Sequence, residues 1–149
     1  MNLLVAVDGS SESQEALDRA VEIAAMADGT ITLVHAVNPD VYELGGMDPI
    51  TSIADAEDRL LVQSLEDAEA RGDDILTQAI DRVTAHDVDV VAELLYGPPE
   101  DRIIEYAEQH DVDGIYVGHR GMSDRLEGLL GSVAKSLTER APVPVTVVH

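Results

Sequence analysis

The chain has 149 residues, 45% of them hydrophobic, which suits one domain around a single core with no linker and no second domain. Thirty Asp and Glu stand against nine Lys and Arg, a formal net charge of -21, and that field excludes nucleic acid and anionic membrane surfaces as partners. There is no cysteine, which excludes disulfides and thiolate chemistry, and the five histidines show no paired metal-ligand spacing.

Leu3 to Val7 is a continuous apolar run closed by Asp8-Gly9-Ser10, the pattern of a strand buried on both faces and ended by a turn. Ser11-Glu12-Ser13-Gln14 has the Ser-x-x-Gln form of a capping box. Behind it, Ala16, Leu17, Ala20, Val21, Ile23, Ala24 and Ala27 predict an amphipathic helix that stops at Asp28-Gly29. Ile31 to Val37 is a second strand. Residues 38 to 52, with Pro39, Gly45-Gly46 and Pro49, lack periodicity and read as a long mobile loop. From Ala54 to Ala85, Leu61, Leu65, Ala68, Gly72, Ile75, Ala79 and Val83 recur at spacings of three and four, which predicts one helix of about 45 Å. Gly72 on that stripe marks either a break between two shorter helices or close packing on the sheet. Val88 to Tyr96 is a third strand, and Gly97-Pro98-Pro99 opens a helix with Ile103, Ile104 and Ala107 on one face. Gly114 to Val117 is a fourth strand, Ser132 caps a helix running to about Arg140, and Val143 to Val148 is the last strand. This alternation predicts an α/β, doubly wound, Rossmann-like fold: a five-stranded parallel sheet of order 3-2-1-4-5 with helices on both faces.

No apolar stretch approaches the roughly 20 residues of a membrane helix, and the N-terminus lacks the basic region and cleavage site of a secretory signal. The expectation is a cytoplasmic protein. Its acidity, its single lysine (Lys135) and the absence of Phe and Trp suit a salt-loaded cytoplasm, where a screening length of roughly 3 Å at about 1 M salt relieves repulsion between carboxylates. A halophilic archaeon is the expected host.

The charge is uneven. Between Gly118 and Arg140, Arg120, Arg125, Lys135 and Arg140 outnumber Asp124, Glu127 and Glu139. The same stretch carries Gly118-His119-Arg120-Gly121 and, nine residues on, Gly131-Ser132. Glycines admit close backbone approach, and amides freed at a strand-to-helix turn bind anions such as phosphate. In sheets of this order ligands bind beyond the carboxyl ends of the strands where the order reverses, so Asp8 and Gly118 face one another across one crevice. There is no Gly-Lys-Ser/Thr of a Walker P-loop and no Gly-x-Gly-x-x-Gly dinucleotide fingerprint. Gly-His-Arg-Gly has the form of the GxxG loop of RNA-binding KH domains, but it follows a strand in a strongly acidic chain.

Val5-Ala6-Val7-Asp8-Gly9-Ser10, Val34-His35-Ala36-Val37, and Val117-Gly118-x2-Gly121-x9-Gly131-Ser132 leading into Pro142-Val143-Pro144-Val145 resemble the universal stress protein family over nearly the whole chain, in its ATP-binding branch. The resemblance implies an ATP site, with Mg²⁺ as a possible companion. Asp8, with the backbone of Ala6 and Val7, would contact the adenosine part, Ala36 would lie against the base, and Val117 would line the same pocket. Gly118, His119, Arg120 and Gly121 would wrap the phosphates while Gly131, Ser132 and Val133 close over them. A carboxylate suits ribose hydroxyl donors. Two departures stand out: Ala134 where the family often has a hydroxyl residue, and His119 where a serine or threonine is common. A homodimer through the last strand, residues 143–148, is implied as well.

Three functions compete. A regulatory adenine-nucleotide binder with little or no hydrolysis comes first, since hydrolysis needs a metal, a positioned water and charge compensation, and His119 is the one candidate to position water. A weak ATPase or phosphotransferase using His119 and Arg120 is second. A dimeric interaction module with a vestigial pocket is third.

Overall fold

In the computed structural model, β1 (Asn2–Ala6), α1 (Ser11–Ala27), β2 (Thr30–Val37), α2 (Ala54–Thr84), β3 (Asp89–Tyr96), α3 (Pro99–Gln109), β4 (Gly114–Gly118), α4 (Ser132–Arg140) and β5 (Val145–Val148) follow along the chain. It describes residues 1–38, 54–121 and 130–149, with α2 side chains from Ser64 onward. The loop expected beyond Asn38 and Arg125 lie outside the described residues.

The five strands form one sheet of order β3-β2-β1-β4-β5, every ladder parallel, with helices on both sides. Successive residues of a strand point to opposite faces, and both faces are covered. Leu3 and Val5 join Leu17, Ala20 and Ala24 of α1 and Leu76, Ala79 and Val83 of α2 on one side. Leu4 joins Ile103 and Ala107 of α3 and Ala134 and Leu137 of α4 on the other. That is why β1 reads as an unbroken apolar run rather than an alternation.

The start of α1 departs from the capping-box reading. Ser10, not Ser11, is the N-cap: its hydroxyl oxygen accepts from the Ser13 amide at 3.1 Å, and Ser13 Oγ donates back to the Ser10 carbonyl at 3.0 Å. The turn places the cap there because Gly9 adopts φ +85 and Asp8 Oδ1 accepts from both the amide and the hydroxyl of Ser10. Asp8 is therefore the organiser of the turn and not the cap itself. The last strand is shorter than expected, beginning at Val145. Pro144 has no N–H to give a ladder; it contributes only its carbonyl, to Ile115 N at 2.9 Å.

Gly72 does not break α2, which is continuous from Ala54 to Thr84. A Cβ at this position would stand 2.7 Å from Leu94 Cδ1 and 2.9 Å from His35 Cδ2, so the glycine allows β2 and β3 side chains to reach the helix backbone. Gly72→Ala gains about 1 kcal/mol of helix propensity, which offsets only in part the shifts demanded of Leu94, whose flexible end can move, and of the His35 ring, which its hydrogen bond to Val7 holds in place. Gly72→Leu has no such room and is expected to destabilise by about 2 kcal/mol. Urea midpoints of the two variants check this: a little below wild type for alanine, clearly lower for leucine.

Candidate functional site

β1 and β4 run side by side, with Val5 opposite Tyr116, so their carboxyl ends open at one place. A cleft of about 470 Å³ lies there, walled by the ends of β1, β2 and β4, by α2 and α3, and by the start of α4. Ala6, Val7 and Asp8 enter it from β1, Ala36 from β2, Val117, Gly118, Arg120 and Gly121 from β4 and its extension, and Gly131, Ser132 and Val133 from the start of α4. Of the residues singled out in the sequence, His119 alone does not line it.

The imidazole of His119 turns to the sheet edge. Its Nδ1 lies 3.4 Å from the Val148 carbonyl, its ring stacks on His149 with centroids 4.8 Å apart, and its amide donates to the same carbonyl at 3.0 Å. His119 thus ties the glycine segment to β5.

Gly118 is a glycine for a reason other than ligand approach. A Cβ there would meet the backbone of Glu12, 2.8 Å from its carbonyl carbon and 2.9 Å from its carbonyl oxygen. The first turn of α1 is thereby brought onto the end of β4. Glu12 Oε1 in turn accepts from an Arg120 terminal nitrogen at 3.2 Å, with both side chains roughly four-fifths covered. The Glu12 carboxyl is held below its usual range, first by its own backbone amide and further by Ser11 and Arg120.

At α4, Gly131 is the N-cap, and Ser132 is the first helical residue rather than the cap. Gly131 offers no side-chain oxygen to the helix start, and its amide donates to the His119 carbonyl at 2.7 Å, which draws the two ends of the glycine segment together. The first amides of a helix have no intrahelical acceptor and sit at the positive end of its dipole. Ser132 and Val133 bring that end into the cleft, which fits a phosphate.

Sequence reasoning missed part of the wall. Ser13, His35, Asn38, Arg71, Pro99 and Ile103 also line the cleft. His35 donates from Nδ1 to the Val7 carbonyl at 2.8 Å, and Val7 N donates to Val34 O at 3.0 Å, so β2 grips the residue before Asp8 from both sides. Arg71 was within reach of the sequence reading: it lies three residues after Ala68 and four before Ile75, and all three line the cleft. Among the described residues Asp8 is the one acidic lining side chain, against Arg71 and Arg120. No cluster of three or more His, Cys, Asp or Glu suited to a metal ion occurs among them, and no helix there is long and apolar enough to cross a membrane.

An open parallel α/β sheet with its cleft at the reversal of strand order, a carboxylate on one lip and a helix N-terminus on the other, is the doubly wound architecture, whose ligand crevice lies at that place. The universal stress protein family model matches residues 1–149, and the chain belongs to that family. Universal stress protein YxiE of Bacillus subtilis is 30% identical over 149 residues, covering 99% of this chain and 97% of that protein. Among solved structures, universal stress protein UspA from Lactobacillus plantarum is 28% identical, with a TM-score of 0.83 over 100% of this chain and 97% of its own. A universal stress protein crystallised in complex with cAMP is 27% identical, with a TM-score of 0.68 over 100% and 96% of the two chains.

Proposed function

We propose that the protein is a regulatory adenine-nucleotide binder of the cytoplasm that takes ATP, with little or no hydrolysis, and works as a homodimer joined through its C-terminal strand. One observation carries the reading: Asp8 and the remote residues Gly118, Arg120, Gly121, Gly131, Ser132 and Val133 share one cleft that, among the described residues, holds more cationic than acidic lining side chains in a chain of net charge -21. Asp8 would accept from the ribose hydroxyls, Ala36 and Val117 would flank the base and sugar, and Arg120, Gly121 and the start of α4 would take the phosphates. Mg²⁺ would arrive on the phosphates with its own water, since ribose claims the Asp8 carboxylate. The cAMP complex of a 27% identical relative supports an adenine ligand. The hydrolytic alternative rested on His119, whose imidazole lies against Val148 and His149. β5 pairs with β4 and ends the sheet, and an edge strand of apolar residues favours pairing with a second copy.

Calorimetry with ATP tests the site. Wild type should bind, and Gly121→Asp, which puts a carboxylate where phosphate would lie, should weaken binding at least about 100-fold, a loss of about 3 kcal/mol. Unchanged affinity would reject the nucleotide assignment. Light scattering on the same preparation should give a dimer's mass, and a monomer's mass would reject the strand-pairing part.

A further inference from the structure

We propose that Glu12 competes with bound phosphate for Arg120 and thereby sets how strongly the cleft favours nucleotides by their number of phosphates. This rests on the adenine-nucleotide reading of the cleft. Gly118 lets the first turn of α1 touch the end of β4 backbone to backbone, and that contact delivers the Glu12 carboxylate to Arg120, two residues further along. The contact is one-sided: a single terminal nitrogen reaches Oε1 at 3.2 Å, while Arg120 Nε is buried with no partner among the described residues. A guanidinium carries five N–H donors in a planar fork, so Arg120 retains donor capacity beside an open cleft. Glu12 is not itself a lining residue. It stands behind Arg120 and cancels the charge that Arg120 would present to an anion.

An arriving phosphate must share the guanidinium with this carboxylate or displace it, and where it shares, it meets the negative charge of Glu12 across a single side chain. The penalty grows with each phosphate and vanishes for adenosine. The other described charged groups lining the cleft are Asp8 and Arg71.

The test is calorimetric titration of ATP, AMP and adenosine into wild type, Glu12→Gln and Glu12→Ala, with thermal melts to establish that each variant is folded. Both variants are expected to bind ATP about tenfold tighter than wild type, AMP with a smaller gain, and adenosine unchanged. If Glu12 instead only orients Arg120, Glu12→Ala will bind ATP more weakly while Glu12→Gln keeps wild-type affinity, and the proposal is overturned. Equal gains for all three ligands overturn it too. Absence of binding by every protein to every ligand removes the nucleotide reading itself, and this competition with it.

Discussion

Gly118→Val is expected to destabilise the protein by about 2–3 kcal/mol and to abolish binding in the cleft. The new side chain would be built 2.8 Å from the Glu12 carbonyl carbon, and that neighbour is backbone, which cannot rotate away. Nor can α1 simply retreat. Leu17, Ala20 and Ala24 are buried against the sheet, so withdrawing the helix far enough to admit valine would open gaps along its whole inner face. The strain therefore falls on the junction of α1, β4 and the glycine segment, the side of the cleft proposed for phosphate. Urea denaturation should show a lower midpoint at an unchanged m-value, and the melting temperature should fall by about 5–10 °C. A midpoint equal to wild type would mean that the first turn of α1 is free to move, against the packing described above.

The second large effect is salt. Melting temperature should rise by about 10 °C or more between 0.1 and about 2 M KCl. Two electrostatic terms oppose one another. Five ion pairs join described residues, from Asp18–Arg82 at 2.7 Å to Glu12–Arg120 at 3.2 Å and Arg19–Glu22 at 3.3 Å. Each is at least partly exposed and contributes about 0–1 kcal/mol, which salt weakens. Against them stands the self-repulsion of a chain of net charge -21. Its local intensity shows in α2, where nine acidic residues stand beside three arginines. Like charges about 10 Å apart cost about 0.4 kcal/mol per pair in water before screening, and such pairs far outnumber the attractive ones. Because the Debye length falls from about 10 Å at 0.1 M to about 3 Å at 1 M, repulsion is the larger loss on adding salt. Sucrose, which strengthens burial without screening charge, should give a smaller rise than KCl. A melt that is flat or falling with KCl would reject the adaptation to high salt expected of a halophilic host.

Local patterning is enough for the layered plan, which segments are strands and which are helices, and the usual order 3-2-1-4-5 of such sheets then brings Asp8 to the glycine segment. The elements follow from local signals, namely continuous apolar runs of strand length, three-and-four spacing on helices, and turn residues between them, and the handedness of parallel crossovers puts helices on both faces. The sequence also marked Gly72, as a helix break or close packing on the sheet, and Gly118, as room for a ligand's close approach. Packing between distant elements sets the rest: Gly72 yields to Leu94 and His35, Gly118 yields to the backbone of Glu12, Arg71 reaches the cleft, and His119 faces Val148 and His149 instead. Each of these is a contact between residues far apart in the chain. It is set by the angle and depth at which a helix seats on the sheet, and periodicity reports which face of an element is buried but not what it is buried against.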